Sequence, residues 1–504
     1  MARLPLIGGS YSTRSIIASA QRCINYFPEI NPKFALVPVT HYQRPGLVPI
    51  AEAGTGPIRQ LYRASNSTIG NDNAYVVSGR QVFQINPDWS TTLLGDITPG
   101  LVNPVSIIDN GIQALVVDGS PNGWIWNITG TPAFQQLVDP TGLFVGADRV
   151  DYIDTFILFN IPGTIFFGSS LSSELTFDPT YFAGKTDYPD LLQTLIVNRH
   201  EILLLGSLKT ECWYDAGNAL FPFAELPGAY IEHGIAAKYS IASQDISVYW
   251  LGQDLQGHGV VFRYRGYTTA RISNHAVEFA IREMASSVGI SDAIGYTYQQ
   301  DGHVFYVIQF PAGNQTWVFD ESIGNPDDGW HQEAWTNPTD GSLNRHRGNC
   351  AAFINGINVV GDFESGTIYK MDLDAYTDTV NGRAGPITCV RTFPHIGAGV
   401  GPTGQMIEYD GHRMMVTAFA ADFEAGNSDL AFPSQEISLR WSTDRGRTFG
   451  NYVLQEAGAQ GDYLVQPIWR DLGISRDPVF EISHSINGPA ALNGAWIDVK
   501  VLGT

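Results

Sequence analysis

A two-strand unit recurs through the middle of this chain and limits its fold more than any single motif. "AYVVSGRQVFQIN" begins at Ala74, "GIQALVVDGSPNGWIWNI" at Gly111 and "DTFILFNIPGTIFFGS" at Asp154. "HEILLLGSLKTECWYDAG" follows at His200 and "DISVYWLGQDLQGHGVVFRY" at Asp245. "GHVFYVIQFPAGNQTWVFD" starts at Gly302 and "GINVVGDFESGTIYKMD" at Gly356. Each is an apolar strand, a turn of Gly, Asn, Pro or Asp, then a second strand rich in aromatics. Successive starts lie 37 to 57 residues apart, around the ~40–50 of a four-stranded propeller blade. One such blade cannot cover both of its own faces, so it needs a neighbour on each side. A closed ring supplies the last neighbour and shelters most strand edges. The expectation is an all-β chain whose residues 56–385 form a β-propeller of about seven blades.

The rest of the chain breaks that rhythm. Residues 1–55 scatter Pro5, Pro28, Pro32, Pro38 and Pro45, a density that argues against a regular helix or a central strand. "INYFPEINP" (Ile24–Pro32) and "RPGLVPI" (Arg44–Ile50) read as an extended arm laid on another surface, because Ile24, Tyr26 and Phe27 need burial. Beyond "GRAGPITCV" (Gly382–Val390), the segments "HRMMVTAFAADF", "EISLRWSTDRGRTFG" and "DPVFEISHSI" alternate with a period of two. Residues 386–504 therefore read as a C-terminal antiparallel β-sandwich. Helix-period apolar patterns are hard to find.

Composition supports a folded β chain: 44% of residues are hydrophobic, 16% are charged, and 53 glycines are spread throughout. The 50 acids outnumber the 29 Lys plus Arg, giving a formal net charge of −21. That balance disfavours affinity for nucleic acid through overall phosphate neutralisation, though not the passage of DNA without grip. The four cysteines, Cys23, Cys212, Cys350 and Cys389, are far apart and form no C-x-x-C. Neither zinc nor a dense disulfide framework is expected, and a reducing compartment is the default. The N-terminal "ASA" (Ala18–Ala20) lacks a preceding apolar core, so no signal peptide is expected. No run of 18 apolar residues suggests a membrane helix.

Motifs that could carry chemistry each fall short of their physical requirements. "STDRGRTF" (Ser442–Phe449) fits Ser-x-Asp-x-Gly-x-Thr-aromatic, a turn shared by sialidases and other propellers. Here it occurs once, in the sandwich rather than the repeats, and reads as hairpin chemistry. Asp444 accepts backbone N–H groups and Gly446 tolerates positive φ. "GVGPTG" (Gly399–Gly404) satisfies G-x-G-x-x-G, but Pro402 and the strand-like "QMIEYDG" follow it instead of a helix. "DLDAYTD" (Asp372–Asp378) has acids at positions 1, 3 and 7 of a calcium loop. It lacks the glycine at position 6, where Thr377 stands, and the glutamate at position 12, where Arg383 stands. "HQEAW" (His331–Trp335) is not H-E-x-x-H, and "RHRGNC" (Arg345–Cys350) has no second ligand pair nearby. No G-x-S-x-G marks a nucleophile. The expectation is no catalytic, cofactor-binding or metal-binding residue and no cofactor.

Several segments together resemble the tail hub proteins of short-tailed phages, also called tail accessory factors or packaged-DNA stabilisation proteins. They are "VFYVIQFPAGNQTWVFDESIGNPDDGWHQEAW" (Val304–Trp335), "VVGDFESGTIYKMDLD" (Val359–Asp374), and the C-terminal "LRWSTDRGRTFGNYVLQE", "IWRDLGISRDPVFEISHS" and "GAWIDVKV". "INYFPE" followed by "RPGL" is similar too. Their order spans most of the chain; residues 90–290 carry little of the likeness. The resemblance implies a non-enzymatic virion protein of the tail, made and assembled in the host cytoplasm. It would form a homohexameric ring below the portal–adaptor (head-to-tail connector) proteins, with no membrane insertion. Such a ring continues the DNA channel, retains packaged DNA, which passes without sequence-specific binding, and anchors needle, fibre or spike proteins. The competing readings are a propeller glycosidase or polysaccharide depolymerase, marked by paired carboxylates at a central pocket, and a glycan-binding propeller with aromatics along one rim.

Overall fold

The computed structural model describes residues 2–4, 6, 8–68, 70, 72–131, 133–171, 175, 177–218, 221–254, 256–396, 413–424, 426 and 435–502. Five consecutive four-stranded antiparallel sheets cover 58–96, 106–136, 150–184, 192–231 and 242–271. A sixth unit of four strands spans 294–332, and a seventh spans 348–372. Every repeat legible in the sequence is the second and third strand of one of these blades. In the first blade, for example, Ala74–Ser78 pairs with Gln81–Ile85.

The seventh blade contributes three strands of its own, and its fourth comes from the N-terminal region. Gly46–Glu52 lies antiparallel on Thr367–Asp372, with Leu47 opposite Met371 and Val48 opposite Lys370. A segment expected as part of an arm thus closes the wheel. The first strand of the seventh blade also packs on the first strand of the first blade. Between blades lie apolar clusters shared by neighbours. Ile58, Leu61, Val76 and Ile85 of the first blade meet Ile354, Val359 and Ile368 of the seventh. Trp126 is buried between the first and second blades and Trp250 between the fourth and fifth. At ~1.5–3 kcal/mol for each large apolar side chain fully buried, these contacts supply the main drive for blades to stack.

The sandwich draws on both ends of the chain. One sheet has the order Ile468–Arg470, Met414–Phe423, Leu492–Val501, Val39–Gln43, Tyr26–Ile30. Ala2–Arg3 adds to Leu492–Val501, and Ile474–Ser475 adds to Met414–Phe423. The facing sheet runs Cys389–Thr392, Val479–His484, Glu436–Ser442, Val453–Glu456. Their core includes Tyr26, Cys389, Phe419, Trp469, Phe480 and Ile497. The two-residue strand Cys23–Ile24 joins this sheet to the sixth blade. It is antiparallel to Cys389–Thr392 and parallel to Trp330–Gln332, so one nine-stranded sheet continues from propeller into sandwich.

Among the described residues one α-helix, His275–Ser287, stands between the fifth and sixth blades. Asn274 caps it by accepting from the Ala276 and Val277 amides, and Ala276, Val277, Ile281 and Met284 are buried. No described helix is long and apolar enough to cross a membrane.

Candidate functional site: axial cavity and assembly junction

The first strands of the blades, with the segments leading into them, surround an axial cavity of about 190 Å³. Its wall takes residues from all seven blades, among them Arg59, Ser106, Arg149, Thr194, Tyr296 and Cys350, together with Lys238 from the turn before the fifth. At about 30 Å³ of liquid volume per water, this is room for a handful of waters. The wall is charged and only partly answered from within: Arg59 Nη2 and Arg149 Nε are buried without a hydrogen-bond partner among the described residues. Lys238 Nζ lies 2.5 Å from Asp148 Oδ2, and Asn160 donates to Asp148 Oδ1 at 2.5 Å. Arg59 donates to the Asn103 and Gly79 carbonyls at 2.6 and 3.0 Å. Burial lowers the pKa of Arg59 and of Arg149. Burial also opposes the Lys238 ammonium, yet Asp148 outweighs it and the pKa rises. Among the described lining residues Asp148 is the one carboxylate, whereas glycosidase chemistry uses two across a bond.

The arm, propeller and sandwich meet around Asn25 and Arg44. Asn25 adopts left-handed backbone (φ 58°), which an asparagine tolerates better than most residues. Its amide donates to Gln332 O at 2.8 Å, its side chain donates to Thr388 O at 2.8 Å, and its Oδ1 accepts from Ala334 N at 2.7 Å. Arg44, 1% exposed, spends its guanidinium on Asn25 Oδ1, the Pro45 and Ala334 carbonyls and both oxygens of Asp378. Asp378 also accepts from the Leu47 amide at 3.1 Å, tying the ring-closing strand into the same network. Glu333 is buried beside this pair. Burial pushes its pKa up to about 7, with Asp378 adding to the shift and Arg44 opposing it. In the sandwich, buried Glu481 accepts from Thr392 and Arg440, and the Tyr26 hydroxyl bonds the buried His484 ring.

The motifs singled out in the sequence are dispersed over this framework. The acids of "DLDAYTD" go separate ways: Asp372 pairs with Lys370 at 2.6 Å, and Asp378 pairs with Arg44. Within "HQEAW", His331 and Glu333 are buried. Within "RHRGNC", Arg345 lies over the Phe363 ring, Arg347 pairs with Asp362 and Glu364, and Cys350 joins the core between the seventh and first blades. All four cysteines are buried and free. In the octapeptide, Asp444 accepts from the Arg447 and Thr448 amides and the Ser442 and Thr448 hydroxyls at 2.6–3.1 Å. Gly446 has φ 84°. The returning strand begins at Val453 rather than at Thr448. "GVGPTG" lies outside the described residues. "INYFPE" and "RPGL" stand out in the sequence by their apolar and proline content, whereas nothing local marks the polar pair Asn25 and Arg44 as a junction.

Comparison with known proteins gives two matches, one after the other along the chain. Residues 2–376 match the family model described as bacteriophage P22 Gp10, beta-propeller, and residues 403–500 match bacteriophage P22 Gp10, beta-sandwich. No curated protein matches the chain. Among solved structures, the WD40 beta propeller domain of Doa1 aligns at 9% identity over 64% of this chain and 96% of its own, with a TM-score of 0.39. With two family models covering propeller and sandwich in order, the chain belongs to the bacteriophage P22 Gp10 family, structural phage proteins that stabilise packaged DNA.

Proposed function

We propose that this chain forms a homohexameric hub ring in the tail of a short-tailed phage. The ring sits below the portal–adaptor proteins, continues the DNA channel, helps retain the packaged genome and anchors needle, fibre or spike proteins. The observation that carries this reading is the match of both domains, in order, to the two Gp10 models. The architecture is compatible with a mechanical part. The arm is woven into the seventh blade and both sheets of the sandwich, so the three regions transmit load as one body. The axial cavity of a single propeller, at about 190 Å³, has no room for a duplex whose major groove alone is ~12 Å wide. On this reading the DNA path is the space enclosed between copies.

The test is a phage in which this gene is disabled and supplied in trans or withheld. Withheld, heads should fill with DNA and then lose it, and supplied protein should restore retention. Heads that keep their DNA without this chain would contradict the proposal.

A further inference from the structure

The turn built by Asp444 holds an unusual concentration of positive charge for so acidic a chain. Arg413, Arg445, Arg447 and Arg476 line one recess with Asp444, Asp477 and Ile17. Arg14 lies beside Arg447 and Ile17 in an adjoining hollow. All five arginines are exposed.

The arrangement is built from rigid pieces. Asp444 fixes the Arg447 amide at 3.1 Å. A Cβ on Gly446 would stand 3.1 Å from Ile16 Cγ2 and 3.2 Å from Ala20 Cβ, so a larger residue would press on the 14–20 segment and, at φ 84°, strain the turn. His395 holds that segment by donating from Nε2 to Ile16 O at 2.8 Å while its Nδ1 faces Asp477 at 2.9 Å.

The two acids are largely occupied. The four contacts to Asp444 come from its own turn, and Asp477 faces His395 and Arg445, the latter at 3.5 Å. Among the described residues, Arg14, Arg413, Arg447 and Arg476 have no ion pair. Three of these guanidinium groups line the recess and the fourth, of Arg14, the hollow beside it; like charges so gathered repel one another and would be stabilised by a polyanion. The guanidinium fork matches a phosphate bidentately.

The described lining contains no aromatic side chain on which a sugar or base could stack and no Asn or Gln to read a base edge. We infer that this recess binds the phosphodiester backbone of duplex DNA without reading its sequence. The inference rests on the proposed channel role and assigns the DNA-facing surface to this end of the sandwich.

Fluorescence anisotropy with a labelled 30-base-pair duplex and the full chain tests it across a salt series. Four unpaired arginines predict a slope of log K against log salt of about −3 to −4, at ~0.9 per phosphate neutralised. Arg447→Ala with Arg476→Ala should flatten the slope to about −2. Lys at both positions should keep it, and Arg199→Ala with Arg282→Ala, exposed elsewhere, should leave it unchanged. Overturning results are no duplex binding at ~100 µM protein in low salt, a slope untouched by R447A/R476A, or poly-glutamate bound more tightly than DNA. Native mass spectrometry of the same samples reads assembly separately. A ring that ignores DNA overturns this inference alone, and a chain that binds DNA but never assembles contradicts the hub.

Discussion

Arg44 and Asp378 stand 334 residues apart in the chain, yet form a bidentate ion pair with each side chain 1% exposed and an Nη2–Oδ2 distance of 2.5 Å. The pair closes a loop through structure. Arg44 belongs to the segment entering the ring-closing strand, and Asp378 follows the seventh blade. The carbonyl of Ala334, which Arg44 also contacts, follows the sixth. Two charges removed from water this fully are held by their geometry, not by net attraction alone.

Removing one partner should therefore be costly. Arg44→Ala leaves the Asp378 carboxylate buried without its counter-charge, and we expect a loss of about 3–5 kcal/mol in chemical denaturation. The double variant Arg44→Met, Asp378→Leu should recover most of that loss, because no uncompensated charge remains. Equal destabilisation of single and double variants would contradict the ion-pair account.

The ring-closing strand gives a second expectation. Leu47 is fully buried in the cluster between the sixth and seventh blades. Leu47→Ala should cost about 2–5 kcal/mol. Hydrogen exchange should show the loosening first in 367–372, its ladder partner. Exchange that rises uniformly over all blades would contradict closure by this strand.

Acid should loosen the regions that hold buried imidazoles. Burial lowers His331 to about 4 and His484 to about 3, from an unfolded value near 6.5. Between those values the unfolded chain binds more protons than the folded one. The stability these residues contribute is complete above pH ~6.5 and is lost as pH falls through about 4 and 3. Glu333 acts in the opposite sense. Its folded pKa of about 7 exceeds the unfolded ~4.3, so its contribution is full below that value and lost as pH rises through about 7. Thermal unfolding from pH 4 to 8 should show Glu333→Gln gaining stability relative to wild type at the upper end. His484→Asn should flatten the acid limb.

Asp444 is a turn organiser on this account. Asp444→Ala should raise hydrogen exchange at the Arg447 and Thr448 amides it now holds and leave the blades unchanged. Unaltered exchange at those two amides would contradict the assignment.

The blades were legible in sequence because their middle strands are buried on both faces. Ala74–Ser78 is buried at every position and reads as an apolar run. Outer strands are not legible in this way: Thr91–Asp96 has no buried residue and looks like loop. The ring-closing strand escaped because its partner lies more than 300 residues away, and Pro49 within it argues locally against a strand. The helix was in fact written in "NHAVEFAIREMASS", with a capping Asn and apolar residues at 276, 277, 281 and 284. At 13 residues it is too short an element to stand out from the strand patterns around it. The arginine recess was invisible for a different reason: Arg14 and Arg413 come from opposite ends of the sequence, and only folding brings them beside "STDRGRTF".

The most direct measurement of the central claim is the native mass of the purified chain, alone and with the portal–adaptor complex. A ring of six 55.1 kDa copies predicts a species of about 331 kDa, present alone or formed on the adaptor. A chain that stays monomeric at every concentration and leaves the adaptor complex unchanged in mass would contradict it.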